Sequence, residues 1–268
     1  MAERLHVVLA RAGVASRRQA EKLIREGCVS VNGEVVLMPG TQVVWGQDAI
    51  RVNNRLIHRV DRQVTIVLNK PKQVLTTSHD PRGRPTTAEL MRNIKARLFP
   101  VGRLDYHTEG LLILTNDGEL AHRLQHPRYG IPKTYLTKVK GLPEEQALRR
   151  LRSGVMLDGR PTAPAQVKKA GTTGKNSWLE MTIKEGRNRQ IRRMCAAVGH
   201  PVMKLKRIRY GPIRLGNLKP GTYRKLTLSE VAKLRKCLTK DPQSESLAGL
   251  AKAQKTLTSN PLSPYVIE

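Results

Sequence analysis

Aromatic side chains are scarce: one Phe, six Tyr and two Trp make up 3% of 268 residues. A platform of stacked rings is therefore not expected to be the main way this chain holds a ligand. Acids are also few, with 21 Asp and Glu against 49 Lys and Arg, a formal net charge of +28 and a pI near 10.8. Such a field favours a polyanion, and nucleic acid is the commonest one. An anionic membrane is the rival, yet no segment approaches the roughly eighteen unbroken apolar residues that span a bilayer. The N-terminus, MAERLHVVLARAG, carries Glu3 and lacks an apolar leader core, which argues against export. Three cysteines, Cys28, Cys195 and Cys237, stand far apart with no CxxC, as expected of reduced, buried thiols in the cytoplasm. No Walker-type phosphate loop and no GxGxxG occurs. His122 and His126 are four apart, on one face if helical, but no third ligand follows at a recognisable spacing, so no metal is expected.

The length fits one or two domains, and 39% hydrophobic residues supply real cores. Leu5, Val8, Leu9 and Ala12 recur at helical spacing, and Gly13 stops that helix. Ser16 caps a second helix, with Gln19 three residues on as a capping box. Ala20, Leu23 and Ile24 form its apolar stripe, and Gly27 closes it. Its other face carries Arg18, Lys22 and Arg25, with Arg17 beside them. Val29, Val31 and Val35 alternate around Asn32-Gly33, a hairpin signal. A second extended pair is expected around Val43–Trp45 and Ala49–Val52.

The polar stretch His58–Gln63 reads as a linker. The expected domains are 1–62, 63–240 and a mobile tail 241–268 that lacks periodicity. A strand is predicted over Thr65–Leu68, a basic loop with Arg82 and Arg84 over Ser78–Thr87, and a helix over Ala88–Leu98. Further on, strands are predicted at Tyr135–Val139 and Trp178–Ile183, and a helix at Pro143–Leu151. Residues 1–58 hold eight basic and five acidic residues, whereas Arg187–Lys225 holds twelve basic residues and no acid. The electrostatic footprint therefore centres on the second domain.

The richest stretch is Val101–Leu120, VGRLDYHTEGLLILTNDGEL. One carboxylate, Asp105, stands between Arg103 and a polar turn, ahead of the apolar run Leu111–Leu114. An Asp before a strand is ordinarily a turn former. Backed by a buried strand, it is also how a protein holds one reactive group against a substrate.

The spacing G-R-L-D, two residues, T, one residue, G-L-L resembles the active-site signature of the pseudouridine synthases that act on ribosomal RNA. Lys133-Thr134-Tyr135 and Glu185–Met194, EGRNRQIRRM, resemble two further motifs of that family. The first sixty residues resemble the S-four-type RNA-binding module. The whole, over roughly residues 3–235, resembles the bacterial rRNA synthases with such an N-terminal module. The run through Gln125-His126-Pro127-Arg128-Tyr129 is most similar to the large-subunit (23S) B branch.

The resemblance implies an α+β chain: a small RNA-binding domain, then a catalytic domain with a central, mostly antiparallel sheet flanked by helices. It implies isomerisation of a uridine in ribosomal RNA or a pre-ribosomal particle, in the cytoplasm, by a monomer. The uracil is cut from its ribose, turned and rejoined through carbon; no outside atom enters, so no cofactor is implied. Asp105 matches the nucleophile, Arg192 its charged partner and Tyr135 the ring under the flipped base. Arg103 is expected to hold the flipped nucleotide's place, Leu205 to wall the pocket, and Arg187 and Arg189 to meet phosphates. Where the family often has Gly two residues after Asn69-Lys70-Pro71, this chain has Gln73, which puts the conformation of that loop in doubt. Three rival readings remain at this level: a non-catalytic rRNA-binding or assembly factor, a small-subunit target, and a DNA-binding protein.

Overall fold

A computed structural model describes residues 2–58 and 63–239; most of the expected linker and all of the expected tail lie outside them. The described chain forms two compact units, the first of residues 2–106, 112–121 and 218–226, the second of residues 107–111, 122–217 and 227–239. The class is α+β.

The first unit begins with α1 (Leu5–Arg11) and α2 (Arg17–Arg25). Leu5, Val8 and Leu9 are fully buried, and Gly13 takes φ +78°, which ends α1. The Ser16 hydroxyl accepts the Gln19 backbone N–H at 3.2 Å, as the capping signal implied. Strands β1 (Val29–Val31) and β2 (Glu34–Val35) form a hairpin whose turn residues, Asn32 and Gly33, both have positive φ. Strands β3 (Ile50–Val52) and β4 (Arg55–Leu56) complete this small antiparallel sheet, with β1 against β3. The expected pairing of Val43–Trp45 with Ala49–Val52 does not form. Gln42–Val43 pairs instead with Glu3–Arg4, because both edges of β3 are taken, one by β1 and the other by β4.

The same unit holds β5 (Thr65–Lys70), buried along its whole length. Strand β6 (Glu109–Thr115) starts in the second unit and ends in the first, and its last residues pair with Phe99–Pro100. The predicted helix over Ala88–Leu98 shrinks to one 3₁₀ turn at Glu89–Met91. Only Met91 of that stretch is buried, so no apolar face offsets the cost of ordering a helix. The turn after β6 is also a helix start: the Asp117 carboxylate accepts the Leu120 N–H at 3.0 Å and opens α3 (Gly118–Gln125).

The second unit is built on β7 (Lys133–Lys140), β8 (Gln166–Thr173), β9 (Asn176–Ile183) and β10 (Val202–Tyr210), in the order β8–β9–β7–β10, all antiparallel. The start of β6 joins β10 in parallel. Helix α4 (Glu145–Ser153) begins two residues after Pro143, which precedes the cap instead of opening the helix. Helix α5 (Gln190–Ala197) packs Ile191, Met194 and Cys195 into a core with Leu148, Leu151, Leu179, Met181 and Leu205. Burial pushes the Cys195 thiol up to about 12, so it behaves as an inert apolar group. Back in the first unit β11 (Tyr223–Lys225) pairs with β5, and α6 (Leu228–Lys236), in the second, starts at a full capping box of Thr227 and Glu230. Among the described residues no helix is long and apolar enough to cross a membrane.

Candidate active site

Asp105 sits half-buried on the loop before β6, and its two chain neighbours are gripped from the segment after β5. The buried Thr76 hydroxyl donates to the Leu104 carbonyl at 2.8 Å and accepts the Leu104 N–H at 3.3 Å. The Gln73 N–H donates to the Tyr106 carbonyl at 2.8 Å. Gln73 has φ +61°, the left-handed conformation that a glycine takes without strain. The loop thus keeps the shape that glycine favours, with a glutamine bearing it. Lys70, fully buried, donates to the carbonyls of Pro71 and Val74, both at 2.8 Å, and so ties the turn that presents Gln73 and Thr76.

In the second unit, Arg192 on α5 donates to the His107 carbonyl at 3.0 Å, two residues along the chain from Asp105, and to the Val202 carbonyl at 3.4 Å. Gly110 is held by geometry as well as by φ +108°: an added Cβ would lie 2.3 Å from the Arg207 carbonyl oxygen. Only glycine lets β6 approach β10 this closely.

Tyr135 is half-buried on β7, opposite Arg207 on β10 and Met181 on β9. The Arg207 guanidinium carbon lies 6.0 Å from the Tyr135 ring centre and 5.2 Å from that of Tyr210. Its Nε donates to the Leu111 carbonyl at 2.7 Å, while buried Nη2 has no partner among the described residues. Lys133 shares this corner; burial, helped by the Arg207 charge, pushes its ammonium down to about 8. Tyr210 donates to the Leu124 carbonyl at 2.7 Å, and burial pushes its hydroxyl up to about 12.

Sequence reasoning missed Arg207 and Thr76. Arg207 hides in a basic run, but it is two residues from Leu205 on a strand and so shares its inward face. Leu205 itself is buried in the unit's core. Nothing local marks Thr76, whose contact with Leu104 spans 28 positions.

Arg187, expected to meet phosphate, and Arg84 of the basic loop both also bond within the chain. Arg187 donates from Nε to Glu185, from Nη1 to the Arg160 carbonyl and from Nη2 to the Pro161 carbonyl. It ties the hairpin of Met156–Leu157 and Arg160–Pro161 to the loop before α5. Beside it, Arg193 grips Asp158 in that hairpin's turn with both terminal nitrogens. Arg84 holds Asp80 with Nε and Nη2, which keeps that carboxyl down at about 2; its loop folds on itself. Arg17, Arg18, Lys22, Arg25, Arg82, Arg103 and Arg189 are exposed. Lys22 and Arg25 also meet Glu26 and Glu21 on α2 and just past its end. Arg189 caps α5 with φ +47°. Among the described residues no three His, Cys, Asp or Glu side chains are grouped to hold a metal.

Comparison with known proteins adds to this geometry. The RNA pseudouridylate synthase family profile matches residues 63–197, and the S4 domain profile matches residues 3–50. The chain is 49% identical over 235 residues to ribosomal large subunit pseudouridine synthase B of Bacillus subtilis, covering 87% of this chain and 96% of that one. It is 39% identical over 266 residues to the protein of that name from Salmonella typhimurium, covering 97% and 91%. A crystal structure of a pseudouridylate synthase superposes with a TM-score of 0.62 at 34% identity, covering 86% of this chain and 99% of that one.

Proposed function

The chain belongs to the RNA pseudouridylate synthase family, and from that premise we propose that its substrate is a uridine of large-subunit ribosomal RNA, with Asp105 as nucleophile. The activity of the family is isomerisation of uridine to pseudouridine. Both relatives described above carry large-subunit names, and their similarity runs through the N-terminal RNA-binding module as well as the catalytic part. The domain division we propose is 1–62, 63–240 and a tail over 241–268.

In this reading the bond between C1′ of the ribose and N1 of uracil breaks, the base turns, and a bond forms between C1′ and C5. The hydrogen on C5 leaves as a proton and N1 gains one, so the atoms balance without an outside reactant. Asp105 attacks and then leaves, at the sugar or at the base. Tyr135 stacks on the flipped uracil and offsets the cost of taking it from its helix. Arg192 supplies the countercharge to Asp105, Arg103 holds the place the uridine left, and Leu205 walls the pocket. The exposed basic residues of α2 and the exposed Arg82 and Arg189 meet phosphates.

One observation carries this: the residues on either side of Asp105, Leu104 and Tyr106, are held by Thr76 and Gln73. A turn-forming Asp needs no such restraint; a reacting carboxylate does. The test is chemical mapping of pseudouridine across all rRNA from a strain lacking this gene. One or more large-subunit signals should vanish and return with the wild-type gene. A small-subunit loss, or none, refutes the target.

A further inference from the structure

The ring-bearing end of α3 has no part in the chemistry above. His122 and His126 lie on one face of the helix end with ring centres 5.7 Å apart, and the Tyr129 ring lies 6.2 Å from His126. His122, Arg123, His126 and Arg128 are exposed and Tyr129 is half-buried. The Arg128 guanidinium lies 5.3 Å from the Tyr129 ring centre. Two of the chain's seven histidines and one of its six tyrosines fall within these eight residues. The nearest acid along the helix is Glu119, against Arg123, Arg128 and two histidines.

Hydrogen bonding orients one ring. His126 Nδ1 accepts the Arg128 backbone N–H at 3.2 Å, which turns Nε2 to the outer edge of the ring. An imidazole held this way suits a nucleobase, which offers a π face for stacking and polar groups at its edge. A metal is a poor fit, because among the described residues no third His, Cys, Asp or Glu is grouped with these two.

We propose that His122, His126 and Tyr129 form a stacking site for an unpaired base of the RNA, with Arg123 and Arg128 meeting the flanking phosphates. The proposal rests on RNA being the substrate. It adds a contact outside the target uridine's own pocket. Ring and cation together favour single-stranded RNA over a protein partner, since bases and phosphates alternate along that chain.

The test uses the full chain and a short single-stranded RNA with one 2-aminopurine, whose fluorescence is quenched on stacking; it does not depend on turnover. Wild type should quench it on binding. His122→Ala paired with Tyr129→Leu should abolish the quench and weaken binding about tenfold, while His122→Phe keeps both. Removing the probed base should weaken wild-type binding but not that of the double variant. Matching melting temperatures guard against misfolding. Unchanged quenching in the double variant overturns the site. So does an equal loss with and without the base, which is the signature of charge alone, or a loss seen only with assembling particles, which marks a protein partner. Turnover by the double variant at saturating RNA should equal wild type. If wild type itself turns over no RNA, the proposed function fails, whatever the quench.

Discussion

The Thr76 hydroxyl bonds to the Leu104 backbone twice, donating to its carbonyl at 2.8 Å and accepting its N–H at 3.3 Å. A side chain thereby substitutes for a strand partner at the residue that leads into Asp105. The two residues lie 28 positions apart within the first unit, so the loop that bears the carboxylate is fixed from outside itself.

Thr76→Val keeps the shape and removes both bonds. Leaving a buried N–H and carbonyl unmet costs roughly 1–3 kcal/mol, and the loop should relax to recover them. We expect kcat to fall at least tenfold with KM within about twofold, and Thr76→Ser to restore most of it. A loss confined to thermal stability, with kcat intact, would make Thr76 a fold residue only.

Lys133 should leave a pH signature on stability. Its ammonium titrates at about 8 in the folded chain against the usual 10.5. At neutral pH the charge is present folded and unfolded, and folding carries its desolvation. As pH rises from about 8 toward 10, the folded chain has released a proton that the unfolded chain still holds, so the wild type gains stability. The stabilising effect of Lys133→Met should therefore be greatest near pH 7 and shrink toward pH 10, above which Tyr210 begins to act in the opposite sense. Melting curves of both proteins across that range check it; a constant difference refutes it.

Arg187→Met should lower the melting temperature, because two bonds from the loop before α5 to the hairpin, and one within that loop, are lost. With the guanidinium engaged in these bonds, RNA affinity is expected to keep its salt dependence. A log–log salt slope that falls by about 0.7 would return Arg187 to the phosphate contacts.

Much of this site was legible because it is local in sequence. Gly13, Ser16 and Asn32-Gly33 act within a few residues, and the structure keeps each. The Asp105 loop and the strand behind it are likewise contiguous. What escaped was non-local or overridden by packing. Thr76 reaches Leu104 across 28 positions. Arg187 reads as a surface cation until the hairpin carbonyls of Arg160 and Pro161 come to meet it. The stretch Ala88–Leu98 has helical spacing but buries one side chain, Met91, and stays mostly irregular. Gln73 shows the reverse: an unusual residue at a left-handed position, with the loop's geometry kept.

The central claim is that Asp105 reacts with the target uridine. Its most direct test is release of tritium from C5 of uracil in a rRNA transcript under single-turnover conditions, comparing wild type with Asp105→Asn, and with RNA binding measured in parallel. The amide keeps the shape and removes the charge. The account predicts no detectable release from the Asn variant while RNA affinity stays within a few-fold of wild type. Release at a comparable rate from Asp105→Asn would contradict it.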